Sequence, residues 1–175
     1  MSQYLSSRME LFKSCLFLAI SVLVVANGAR INQAEDACPA DWVDATSMDL
    51  GCLLFNSTTA YTWEKAYGYC KSVENASLVE ILTKEQLDFV RLQLYDLGEQ
   101  NGKELWWTGA TDLGREGQWT WMGGLTPVSE FIWHAGYPNG GVTENCLYLN
   151  SGGSYEGYDN PCSVFYHPIC QKMLV

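Results

Sequence analysis

Six cysteines, Cys38, Cys52, Cys70, Cys146, Cys162 and Cys170, follow an export-type leader and constrain this chain more than any other feature. An even number on an oxidising route predicts three disulfides. None falls in a Cys-x-x-Cys pair, so a zinc or thioredoxin-type site has little support. Spacing alone leaves 15 pairings open.

The leader is residues 1–29. Arg8 and Lys13 precede an apolar run from Cys15 to Ala26, and Gly28 and Ala29 follow. That order of charge, apolar core and small residues predicts a secretory signal peptide, which takes the seventh cysteine, Cys15, with it. The run is short for a bilayer span and no second one follows. The expectation is a secreted, extracellular chain with no membrane insertion after signal removal, in preference to an uncleaved anchor. A short segment at 30–37 then leads into one domain at 38–172, a length suited to a single core.

The chain carries 10 basic and 20 acidic residues, a net charge of −10. Only Arg8, Lys13 and Glu10 lie in the leader, so the remainder is one unit more acidic. Nucleic acid and anionic lipid are poor partners for such a surface. The acids are scattered, which reads as solubility and not as an acidic tail. Asn56-Ser57-Thr58 and Asn75-Ala76-Ser77 are N-glycosylation acceptors, in keeping with secretion.

Two helices are expected early. Thr62 can cap a turn presenting Trp63, Ala66, Tyr67 and Cys70 on one face. Thr83-Lys84-Glu85-Gln86 is a capping-box pattern, followed by Leu87, Val90 and Leu94 on one stripe, with Gly98 as the stop. Beyond Gly102, the aromatic and β-branched runs 105–108, 118–121, 146–149 and 164–171 alternate with Gly-rich turns and predict antiparallel strands. Helices first and strands later give an α+β domain. The span 123–145 reads as one long loop stapled at its end by Cys146 and Cys162, and loops of that length are commonly functional.

These residues resemble the C-type lectin-like domain family over about 37–172. Cys38-Pro39, Trp42 and Cys52 look like the N-terminal hairpin of the long form. Thr62-Trp63-Glu64 through Cys70 is similar to the first family helix, and Trp107-Thr108-Gly109-Ala110 stands where the family has Trp-Ile-Gly-Leu. Trp133, Gly136, Pro138-Asn139, Glu144-x-Cys146, Asp159-x-x-Cys162 and Ile169-Cys170 continue the match. The resemblance implies an α+β fold with two helices, antiparallel sheets and a long loop. It also implies the pairings Cys38 to Cys52, Cys70 to Cys170 and Cys146 to Cys162.

The resemblance further implies a calcium ion in the long loop that holds sugar hydroxyls, since calcium accepts six to eight hard oxygens in flexible geometry. Asn139, Glu144 and Asp159 match family ligand positions. Tyr137 stands where a Glu or Gln belongs, Tyr158 where an Asn belongs, and Gly157 where a Trp belongs. The expectation is weak calcium binding, on the order of 10⁻⁴ to 10⁻³ M. At the auxiliary calcium position Asp112 and Glu116 match, while Gly140 and Asn145 replace carboxylates. The alternative for Asp112 and Glu116 is an acidic turn over 112–117, with Arg115 as a pairing partner.

Two readings stand for the tyrosines. Tyr137 and Tyr158, joined by Tyr155, can stack on a sugar ring while Asn139 and Glu144 bond its hydroxyls. Alternatively they fill the vacated ion site, with Glu144 and Asp159 accepting their hydrogen bonds. Pro138-Asn139 implies mannose-type hydroxyl geometry. Trp107, Trp119, Trp121 and Trp133 read as core.

An enzyme is the competing class. His134 and His167 are the only histidines, and Gly-x-Ser-x-Gly and His-Glu-x-x-His are both missing. A glycosidase carboxylate pair depends on spatial separation and is open at this point. The expectation is a non-enzymatic, secreted carbohydrate-binding protein of the C-type lectin type. Its sugar-binding residues are Tyr137, Asn139, Glu144, Tyr158 and Asp159, and its partners are microbial or cell-surface glycans in innate recognition. The alternative is a lectin-like domain that has lost sugar binding and holds a protein ligand. Ice binding is disfavoured because no regular Thr array is present.

Overall fold

The computed structural model describes residues 37–101, 104–124 and 126–174. The leader at 1–29 and the segment 30–36 lie outside the described residues. The compact unit runs Cys38–Leu174. Its strands are β1 (Val43–Asp44), β2 (Cys52–Phe55), β3 (Ser77–Leu78), β4 (Leu105–Thr111), β5 (Thr120–Trp121), β6 (Cys146–Asn150), β7 (Glu156–Asn160) and β8 (His167–Lys172). Helix α1 is Trp63–Ser72 and helix α2 is Lys84–Asn101.

The two helices form for the expected reasons, with two differences in detail. In α1, Trp63, Ala66 and Cys70 are buried on one face. Thr62 sits at the N-cap, but its hydroxyl makes no cap bond. The N–H of Trp63, the first helical residue, donates to the Cys162 carbonyl at 3.0 Å, so a distant loop satisfies one of the open donors at the helix start. In α2 the capping box closes reciprocally: the Gln86 N–H donates to Thr83 Oγ1 at 3.2 Å and the Thr83 N–H to Gln86 Oε1 at 3.3 Å. The helix does not stop at Gly98. A Cβ there would stand 2.8 Å from the Tyr155 hydroxyl, so this glycine serves close packing and not termination.

The sheet order is β1-β2-β8-β4-β6-β7, with β3 also on β8 and β5 on β4. All pairings are antiparallel except β4 with β8, which run parallel through Trp106↔His167 and Trp107↔Pro168. The expected antiparallel pairing holds at every other strand pair, and the parallel β4–β8 pair is an addition to it. The whole of β5 to β7 separates the two strands in sequence, ample chain for the crossover that a parallel pair requires. Strand β7 is also new relative to the sequence reading. Glu-Gly-Tyr-Asp-Asn has poor strand propensity, yet β6 supplies a full register from Cys146↔Asn160 to Asn150↔Glu156.

Leu53, Val79, Leu87, Val90, Leu94, Trp106 and Leu149 form the larger core, sealed between α2 and the sheet. A second cluster gathers Trp63, Cys70, Trp107, Tyr148 and Tyr158. Two indoles tie it to the backbone: Trp63 Nε1 donates to the Thr108 carbonyl and Trp107 Nε1 to the Tyr61 carbonyl, both at 2.8 Å. The disulfides are Cys38–Cys52, Cys70–Cys170 and Cys146–Cys162. They join each of the implied pairs.

The long loop is ordered against this frame. Ile132 is buried within it, and the His134 N–H donates to the Gly157 carbonyl at 2.9 Å, laying the loop along β7. A Cβ on Gly157 would stand 2.9 Å from the Ile132 carbonyl. That contact explains why a glycine occupies this position: a side chain would lift the loop off the strand.

Two outcomes follow. Cys70–Cys170 spans 100 residues and Cys38–Cys52 spans 14. Replacing the first pair by alanine is expected to cost about 4 to 5 kcal/mol and the second about 3, read as urea unfolding free energies. The two glycosylation acceptors also differ in surroundings. Asn75 is exposed, whereas Asn56 is 8 % exposed and its Oδ1 accepts from the Thr58 N–H and hydroxyl at 3.0 and 2.7 Å. Peptide mapping of secreted protein should find a glycan on Asn75 and an unmodified Asn56.

Candidate functional site

The Cys146–Cys162 bond links the start of β6 to the turn after β7, and the long loop folds over this end of the sheet. At its centre Asp159, on β7, is 3 % exposed. Its carboxylate accepts the Asn139 N–H at 3.1 and 2.9 Å on its two oxygens, and the Gly140 N–H at 2.6 Å. A buried carboxylate needs such donors, and backbone N–H groups facing an ionised oxygen make strong bonds. Asp159 thus holds the Pro138-Asn139-Gly140 segment to the sheet. The Tyr137–Pro138 peptide that precedes it is cis.

Tyr158 is next to Asp159 in sequence but has a separate set of contacts. Its ring stacks on His134 at 4.8 Å and 16°, and meets Tyr137 edge-on at 4.4 Å. Its hydroxyl end packs against Gly153. At 8 % exposure Tyr158 is a floor under the loop and offers no face for stacking on a ligand. Burial, aided by the charge of Glu156, pushes its phenol up from the usual value and keeps it neutral. His134 is held in turn by Glu156, whose Oε2 lies 2.7 Å from Nδ1. Arg91 of α2 reaches the other Glu156 oxygen at 3.6 Å.

Of the five residues expected to bind sugar, Asn139 is exposed, Tyr137 and Glu144 are half-buried, and Tyr158 and Asp159 are buried beneath them. Tyr155 lies elsewhere. It is 3 % exposed, and its hydroxyl donates to the Leu94 carbonyl of α2 at 3.0 Å, so its part in a tyrosine surface is corrected. The hydrogen bonds from tyrosine to Asp159 in the ion-filling alternative are not formed, because Asp159 accepts from backbone N–H groups.

Asp112, Glu116, Asn139, Glu144 and Asp159 line one cavity of about 310 Å³. Asp112 is 3 % exposed, and its Oδ2 accepts the Gly117 N–H at 2.9 Å. The Arg115 N–H donates to the Asp112 carbonyl at 2.9 Å, so Arg115 closes the acidic turn through its backbone. Asp112 Oδ1 is buried with no hydrogen-bond partner. Tested against calcium, the two positions differ. At the primary position the Asp159 carboxylate is taken by backbone donors and the Tyr158 ring is packed, so the residues fit an ion poorly. At the auxiliary position the orphaned Asp112 oxygen is suited to a hard cation. Among the described residues no group of three or more His, Cys, Asp or Glu is arranged to hold a metal.

Glu144 folds against Gly140 and faces the same cavity. Burial first, and the Asp159 charge second, raise its carboxyl above the usual range. A raised folded-state value means that the native state binds this proton more tightly than the unfolded chain. The ionised carboxylate therefore costs stability as pH rises through that value, and costs nothing below the unfolded value. Glu144→Gln is expected to raise the melting temperature slightly at pH 7, with the gain fading as pH is lowered toward 3. Calorimetry across that range checks it.

The sequence profile of the Lectin C-type domain matches residues 59–172. C-type lectin domain family 4 member M of Gorilla gorilla gorilla is 31% identical over 140 residues, covering 79% of this chain and 34% of that protein. The chain thus spans about a third of the length of this curated relative. Among solved structures, the mouse scavenger receptor C-type lectin carbohydrate-recognition domain superposes with a TM-score of 0.66 at 27% identity, covering 79% of this chain and 100% of that one. The C-type lectin domain of murine dendritic cell inhibitory receptor 2, in complex with N-glycan, gives 0.64 at 26% identity, covering 78% and 99%. With the profile matched over residues 59–172, a relative 31% identical and the fold shared with a carbohydrate-recognition domain, the chain belongs to the C-type lectin domain family.

Proposed function

We propose that this chain is a secreted glycan-binding protein that contacts sugar through Tyr137, Asn139 and Glu144, on a loop held in place by Asp159 and Tyr158. The observation that carries this reading is the three-bond clamp from Asn139 and Gly140 onto Asp159. In this reading the clamp does the loop-ordering work otherwise left to an ion. The Asn139 amide supplies donor and acceptor, Glu144 accepts from hydroxyls, and the half-buried Tyr137 ring presents an apolar face with a polar tip. Calcium, held at Asp112 and Glu116 beside Glu144, binds in the 10⁻⁴ to 10⁻³ M range and is not required for sugar contact. The N-glycan in complex with one structural neighbour and the carbohydrate-recognition domain of another support a glycan partner. Microbial or cell-surface glycans in innate recognition are the proposed targets.

One observation favours a second reading, a protein ligand at the same loop. Leu113 and Val142 are 59 % and 76 % exposed on the two turns that border the cavity, and exposed apolar side chains beside a site suit a protein partner. Glycan-array binding by the secreted chain, with calcium and with chelator side by side, separates the two. The expected outcome is binding that survives chelation and falls at least about tenfold in Asn139→Ala, the loss of more than one neutral hydrogen bond's worth of affinity. Loss of binding in chelator would overturn the direct-contact reading, and absence of any glycan binding would leave the protein reading standing.

A further inference from the structure

A groove of about 780 Å³ adjoins the proposed sugar site. The two share Gly117, Trp119 and Pro138 in their linings, so they lie side by side. One side of the groove is the Trp119–Trp133 pair, edge to face at 4.8 Å and 75°. His134, Tyr137 and the exposed Glu130 also line it. Both indoles were expected in the core on sequence grounds. Trp119 is 9 % exposed and Trp133 is half-buried, so each keeps an edge on this groove while packing inward.

The chemistry of the lining selects its occupant. The volume falls in the range of about 300 to 1,000 Å³ that encloses drug-sized ligands, larger than one sugar ring. Aromatic surface interrupted by Gln118, Thr120, Glu130 and the His134 ring matches a pyranose, which has apolar C–H faces and a hydroxyl edge. An alkyl chain would bury those polar groups without partners, at a cost. No Lys or Arg is among the lining residues, and Asp112, Glu116, Glu144 and Asp159 stand in the neighbouring cavity. The local field therefore repels carboxylated or sulfated sugars.

We propose that this groove is an extension subsite that takes the second, neutral sugar of an oligosaccharide whose first sugar contacts Tyr137, Asn139 and Glu144. The inference rests on the glycan reading above and adds to it an oligosaccharide preference and a charge selectivity. Glu130 sets the selectivity at the rim. The indole edges and the His134 ring set the preference for a second ring.

Titration calorimetry of the secreted chain with methyl α-mannoside, mannotriose, octyl α-mannoside and a sialylated trisaccharide tests it. Mannotriose is expected to bind about tenfold tighter than methyl mannoside. Ala135→Trp places an indole in the groove from an exposed position and should abolish that gain while leaving methyl mannoside affinity unchanged. Glu130→Lys should raise affinity for the sialylated ligand several-fold. Equal affinity for methyl mannoside and mannotriose, indifference to Ala135→Trp, or an octyl glycoside gaining as much as mannotriose would each overturn the subsite and leave the glycan reading intact. Failure of every sugar to bind would overturn both.

Discussion

Strand β8 is the member on which the rest of the fold depends. It pairs with β2, β3 and β4, and Cys170 near its centre is bonded to Cys70 on α1. One strand thus carries the terminal hairpin, the first helix and the central sheet. Its pairing with β4 is parallel and joins residues some 60 positions apart, a contact whose loop-closure entropy is paid late in folding. The disulfide removes much of the same conformational freedom from the unfolded chain, because it closes 100 residues with one bond.

The long loop lies over the far end of this frame and is held by polar contacts with apolar support. Ile132 anchors it in the core, the His134 and Tyr158 rings stack beneath it, and the Asp159 carboxylate collects the N–H groups of Asn139 and Gly140. Satisfied backbone donors make a loop of this length rigid enough to present side chains in fixed positions. The orphaned Asp112 oxygen and the raised Glu144 carboxyl face the same cavity. A buried oxygen without a partner and a carboxyl raised by burial are both costly, and the two meet at the cavity on which the proposed site is built.

Much of this was legible beforehand. The α1 stripe ending in Cys70, the capping box at Thr83 and Gln86, and the strands at 105–111 and 146–150 follow from local pattern. The misreadings share one cause. Gly98 looked like a helix stop because glycine usually marks one, but it makes room for Tyr155. Tyr155 looked like a companion to Tyr137 and Tyr158 because it is close in sequence, yet its hydroxyl belongs to α2. Thr62 looked like a cap, yet its hydroxyl makes no cap bond, and the first helical N–H, that of Trp63, donates to the distant Cys162 carbonyl. In each instance a partner from a distant segment outweighed the local preference, as tertiary context commonly does.

The sequence by itself determined the disulfide count, the α+β class and the two helices, since these depend on residue type and short-range spacing. Only the tertiary structure decided that β7 is a strand, that β4 and β8 run parallel, and that Tyr158 lies beneath the loop while Tyr137 lies upon it. It also decided that Trp119 and Trp133 border a groove that adjoins the cavity of Asp112 and Glu144. The physical reason is that burial and hydrogen-bond satisfaction are properties of neighbours in space, and the neighbours of this loop come from α2, β5, β6 and β7 at once.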